Sequence, residues 1–264
     1  MVRFFTLLVC LLGLTLAGAE DAPGPHDLRI ADTIDETAVL DAAIRLRVRD
    51  GKPGSCVQDR VTLDRALAGL RAGKYDLVLA YRSALPENLH GRARDYAIEA
   101  AMIAVNAANV RSSFSSKDLA EIFSGWRKSW KTLNGEDFQI HLMRLEDNAG
   151  ATRIFRRKIM GKRTFAPAFV RRNGTELLRL AEISEHAVVL TFRPDAELST
   201  VIKAAAIDGV YPSLENLKNG KYPLTDRRVV LMAEKPSPEA RALVDFLRRP
   251  EMAAVFAECG LVMP

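Results

Sequence analysis

The sequence predicts an α/β protein built on mixed, mostly parallel sheets. Three observations lead there. Apolar runs of strand length alternate with amphipathic helical stretches along the whole chain. Some of the runs, "YDLVLAY" (75–81) and "EAAMIAVN" (99–106), are nearly continuous and read as buried strands. The 264 residues suffice for one large domain or two lobes, and 48% hydrophobic with 27% charged residues is ordinary globular composition.

The elements follow in order. "LRIA" (28–31) is the first strand. "ETAVLDAAIRLRVRDG" places Val39, Leu40, Ala43, Ile44 and Leu46 at helical spacing and stops at Gly51. "DRVTLDRALAGLRAG" (59–73) reads as a second helix, with Leu63, Ala66, Leu67 and Leu70 on one face and Gly73 at its end. The two buried strands come next. "FSSKDLAEIFSGW" then holds a Ser-x-x-Asp helix start at Ser115 and Asp118, an apolar face of Leu119, Ile122 and Phe123, and a stop at Gly125. Alternation over 138–144 makes a strand that delivers Arg144, and "TRIFRRKIMG" is a helix. Residues 186–193, 201–209 and 227–234 are strand-like, and "SPEARALVDFLRRPEMAAVFAECG" is helical, split at Pro250. There is no internal repeat and no heptad pattern.

"MVRFFTLLVCLLGLTLAGAED" has an early Arg, an apolar run and an Ala-Gly-Ala site, and reads as a signal peptide, residues 1–19. The expected mature protein is exported and periplasmic. Removal of Cys10 leaves Cys56 and Cys259, either bridged or as two separate thiols. Lys+Arg is 38 against 33 Asp+Glu, spread along the chain, which suits an anionic ligand and gives no sign of a nucleic-acid partner.

The stretch "RLEDNAGATRIF" carries the chemistry. Small residues ahead of a helix leave its first N–H groups uncovered, a ready seat for an anion. No Gly-x-Ser-x-Gly elbow, phosphate loop, His-Glu-x-x-His helix or Cys-x-x-Cys pair is present, and the four His show no ligand spacing. The chain is therefore not expected to be an enzyme or to hold a metal or cofactor.

Three blocks carry a family resemblance: "NAANVRSSFSSKDLAEIFSGWRKSW", "IHLMRLEDNAGATRIF", and "VIKAAAIDGVYPSLENLKNGKYPLTDRRVVLMAE" with the closing "ALVDFLRRPEMAAVFAECGLVMP". They resemble the phosphate-binding proteins of phosphate-specific ABC transporters, within the type II periplasmic binding proteins. The resemblance implies two α/β lobes, 25–105 plus 224–264 and 106–223, joined by crossing strands and closing over a ligand. It implies a monomer that hands a small anion to an ABC permease. It also implies ligand contacts from Thr33, Ser55 (at a helix start) and Arg82 in lobe one, and from Arg144, Gly150, Ala151 and Thr152 in lobe two. Asn148 is a substitute donor. Gly150 stands where the family has a Ser, Ala151 adds a methyl, and Asp32 and Asp147 are carboxylates close to the expected site. The site is therefore a substituted one. The alternative is an interaction or sensory module that reuses the fold.

Overall fold

The structure, a computed structural model, describes residues 27–34, 37–51, 55–133, 135–192 and 200–264; the expected leader lies outside the described residues. The fold is the two-lobed α/β type that the sequence predicts. One half is built on β1 (Leu28–Asp32), α1 (Thr37–Arg49), β2 (Cys56–Arg60), α2 (Leu63–Arg71) and β3 (Leu77–Tyr81). β2 and β3 flank β1 in parallel. The chain then enters β4 (Arg94–Asn106), thirteen residues long and almost wholly buried.

β4 joins the two sheets. Its residues 94–100 pair antiparallel with the returning strand, while residues 101–105 pair with the second sheet. That second half contains β5 (Ser113–Phe114), α3 (Ser116–Phe123), β6 (His141–Leu145), α4 (Gly150–Phe155), β7 (Phe169–Arg171), α5 (Gly174–Glu182), β8 (Ala187–Phe192), β9 (Ile202–Ala204), β10 (Ala206–Ile207) and α6 (Leu214–Lys218). β6 lies parallel between β7 and β8. The chain returns through β11 (Thr225–Met232), which inserts antiparallel between β3 and β4. It ends in α7 (Pro238–Leu247), α8 (Ala253–Glu258) and β12 (Leu261–Val262).

Local chemistry explains most element starts. Ser115 and Asp118 close the expected capping box on α3, with the Asp118 N–H donating to Ser115 Oγ at 3.0 Å and the Ser115 N–H to Asp118 Oδ2 at 3.3 Å. Ser237 accepts from the Ala240 N–H at 3.1 Å, with Pro238 opening α7. The second half packs around one apolar cluster in which Phe123 of α3 meets Phe155 of α4, ring centroids 4.5 Å apart. That contact seats α4 against the sheet. α4 runs on without a break into a π-helical turn, Arg156–Met160, and stops at Gly161 with φ 57°.

Two expectations need correction. Residues 59 and 60 belong to β2 rather than to a helix that starts at 59, and α2 starts at Leu63. Ser55 accordingly precedes a strand, not a helix. "CVQDR" carries little apolar alternation of its own, and its strand form comes from register pairing with β1, Leu28 opposite Cys56 through Asp32 opposite Arg60. α5 was not anticipated, although Asn173 caps it at the Thr175 N–H and Leu177, Leu178 and Ala181 bury one face. Cys56 and Cys259 are not joined in a disulfide; burial, then the Asp41 and Asp27 charges, push the Cys56 thiol up to about 11.

Candidate functional site

Strand register places four polar side chains on one sheet face. Tyr81 on β3 is opposite Arg228 on β11, and Asp226 on β11 is opposite Glu99 on β4. Because side chains alternate along a strand, Asp226 and Arg228 share a face, which makes Glu99 and Arg228 diagonal neighbours. The diagonal is occupied by a buried ion pair. Arg228 Nε and Nη2 donate to Glu99 Oε2 at 3.0 and 2.9 Å, and Tyr81 Oη donates to the same oxygen at 2.6 Å. The Glu99 side chain is 1% exposed and that of Arg228 11%.

The helix that follows β6 lands on this group. Ala149 is extended, and the first intrahelical bond runs from the Arg153 N–H to the Ala149 carbonyl, 3.0 Å. The N–H groups of the first turn therefore have no partner within the helix. Gly150 sits directly against Glu99. A Cβ at residue 150 would fall inside the van der Waals shell of Glu99 Oε1 and 2.9 Å from Tyr81 Oη. Oε1, the carboxylate oxygen nearest Gly150, has no hydrogen-bond partner among the described residues. A carboxylate at a helix start is electrostatically favoured, and here it lies where the sequence leads one to expect a bound anion.

Arginines from the same helix close the group from the other side. Arg153 Nη2 donates to the Ile34 carbonyl at 3.0 Å and to Tyr81 Oη at 3.4 Å, while its Nε is buried without a partner. Arg157 pairs with the buried Asp226, which also accepts from Ser83 Oγ, and its guanidinium lies 4.9 Å from the Tyr81 ring centroid. Arg228 thus pairs with Glu99 and Arg157 with Asp226, while Arg153 adds a third guanidinium beside Tyr81. The phenol of Tyr81 is held up, chiefly by burial and then by the Glu99 charge, so it stays a donor.

The eight expected ligand residues fall into two groups. Gly150, Ala151 and Thr152 are brought together, all buried, with Gly150 against Glu99; the Thr152 hydroxyl is turned back to the Leu145 carbonyl, 3.1 Å, and Asn148 is exposed in the preceding turn. The others are engaged elsewhere. Thr33 Oγ1 donates to the Leu79 carbonyl at 2.7 Å, Ser55 Oγ to Asp27, and Arg82 pairs with Asp95. Arg144 donates to Asp147 Oδ1 at 2.6 Å and lies over the Phe165 ring, 4.5 Å from its centroid. Asp32 is fully buried and accepts from the Ile34 N–H at 2.8 Å and Gln58 Nε2 at 2.7 Å.

Sequence reasoning missed Glu99, Arg153, Arg157, Asp226 and Arg228. One signal was available for the first. A single Glu inside "AIEAAMIAVN" must be either exposed or partnered, and a strand apolar on both faces rules out exposure.

The tyrosines give a test of the burial. Tyr81 and Tyr222 both have phenols raised by burial. An unfolded phenol loses its proton near pH 10, whereas these hold theirs when folded. Above about pH 10 the native state therefore binds more protons than the unfolded one, and stability falls as pH rises. Urea melts between pH 9 and 11 should show that fall, and Tyr81→Phe should flatten part of it. An unchanged slope would mean that Tyr81 is not buried against Glu99.

A sequence profile of the PBP superfamily domain matches residues 38–251. The phosphate-binding protein PstS of Bacillus subtilis (strain 168) is 24% identical over 148 residues, 55% of this chain and 48% of that protein, so the chain spans about half the length of the curated relative it matches. Among solved structures, an ABC-type phosphate transport receptor from Vibrio cholerae superposes with a TM-score of 0.78 at 19% identity, covering 90% of this chain and 100% of that one. PstS from Borrelia burgdorferi gives 0.76 at 16%, covering 89% and 98%. At these identities the likeness speaks for the fold. Among the described residues no helix is long and apolar enough to cross a membrane.

Proposed function

Because this chain belongs to the PBP superfamily, we propose that it is an exported solute-binding protein. It takes phosphate or a related oxyanion between its two lobes, 25–105 plus 224–264 and 106–223, and passes it to an ABC permease. The observation that carries this reading is the start of the helix at Gly150. Its first N–H groups, with Arg153 and Arg228 alongside, form a positively biased, buried place at the junction of the two sheets, and the group packed against it is an oxyanion, the Glu99 carboxylate, held by Tyr81 and Arg228 rather than by those N–H groups. In this reading Gly150, Ala151 and Thr152 are the ligand loop, Asn148 borders it, and Arg153 bridges to the Ile34 carbonyl of the other lobe. Ligand contact to both lobes favours the closed form by population shift. Thr33, Ser55, Arg82 and Arg144 reach the ligand only by giving up their present partners.

One observation favours a second reading, an interaction or sensory module without transport: the place for the anion is filled by the chain's own side chain, and the flanking hydroxyls and guanidinium groups are already paired. Calorimetry on protein stripped by unfolding and refolding separates the two. Phosphate or sulfate should bind saturably, and Arg153→Ala should weaken binding about tenfold, the loss of one charge-assisted hydrogen bond. No heat with any oxyanion from folded protein would end the capture reading.

A further inference from the structure

We propose that Glu99 is a tethered substitute for the ligand: its carboxylate occupies the oxyanion seat beside Gly150, and a free oxyanion enters only by displacing it. The inference rests on the reading of that loop as an anion seat and adds what controls access to it.

Three observations carry it. First, Glu99 is fully buried in the otherwise apolar stretch 96–105 of β4, a position that strongly disfavours an ionised group unless the surroundings are built for one. The surroundings are so built, since Tyr81 and Arg228 together place three donors on Oε2. Second, the two oxygens have different environments. Oε2 is saturated, whereas Oε1, the one against Gly150, has no hydrogen-bond partner among the described residues. The buried Nε of Arg153 is likewise unpartnered, so an acceptor and a donor are both left open in this group. Third, Glu99 and residue 150 are sterically exclusive. A side chain on residue 150 and the carboxylate on residue 99 cannot occupy the same volume, so a glycine at 150 is what lets the carboxylate stand there.

The consequence is conformational as well as competitive. Glu99 touches Tyr81 and Arg228 of one half and Gly150 of the other, which is the bridging contact a ligand makes when it holds two lobes shut. The apparent affinity for a free oxyanion is then reduced by the small fraction of molecules in which Glu99 has left the seat.

The test is titration of inorganic phosphate into the full mature chain, wild type against Glu99→Gly, with folding of each checked by a cooperative melt. Glu99→Gly should bind phosphate at least about tenfold more tightly than wild type, the factor by which a ninety-per-cent-occupied seat lowers affinity. Should Glu99→Gly not fold, Glu99→Gln keeps the shape and the bonds to Tyr81 and Arg228 without the charge, and should bind several-fold more tightly than wild type. Equal affinity in wild type and variants would overturn the tethered-ligand proposal and leave the anion seat standing. Binding by the variants alone would uphold the proposal and end oxyanion capture by the natural chain. Binding by none, with all folded, would overturn both.

Discussion

Gly150→Ser should destabilise the protein by about 3 kcal/mol, and the same substitution should be nearly neutral in a Glu99→Gly background. A Cβ at residue 150 would overlap Glu99 Oε1, and its neighbours there are not loose ends of surface side chains: Glu99 is fully buried, and the Tyr81 hydroxyl is bonded to it. Overpacking a tight interior costs roughly 1–3 kcal/mol. If relief comes by pushing the carboxylate off Arg228, the cost approaches that of a broken buried pair, about 3–5 kcal/mol. With the carboxylate gone the volume is free, and the seryl side chain should cost under about 1 kcal/mol. The measurement is a double-mutant cycle from urea melts, in which the coupling should exceed about 2 kcal/mol. Equal costs in both backgrounds would mean that residues 99 and 150 do not compete for space.

Arg228→Met is the second large effect. Removing one partner of a buried pair leaves an uncompensated charge, and about 3–5 kcal/mol of stability should be lost. Arg228 supplies two of the three donors on Glu99 Oε2, and only the Tyr81 hydroxyl would remain. The double variant Glu99→Ala with Arg228→Met removes both charges and should be more stable than Arg228→Met alone, since two buried charges are replaced by apolar groups. In thermal melts the single variant should fall by roughly 10 °C for a chain of this size. A single variant as stable as wild type would show that solvent reaches Glu99 and that the pair is not buried.

The sequence carried the fold a long way. Capping residues and apolar spacing are local, so the start of α3 and the face it buries were legible from Ser115, Asp118, Leu119, Ile122 and Phe123 alone. The helix start at Gly150 was legible for the same reason. β2 was not, because its strand form depends on pairing with β1 about 28 residues away, as Leu28 opposite Cys56 shows. The pairing of Arg144 with Asp147 is only three residues long and was within reach of the sequence.

What the sequence determined by itself was therefore an α/β chain with uncovered N–H groups at the start of one helix, because periodicity, caps and bare N–H groups are properties of neighbouring residues. What only the tertiary structure decided was which side chain lies against that helix start. Glu99 meets Tyr81 across 18 residues of chain and Arg228 across 129, and it meets Gly150 through the packing of α4 on β4. Whether a buried carboxylate is partnered depends on strand register and helix placement, which bring distant residues to one point in space and leave no local trace in their order along the chain.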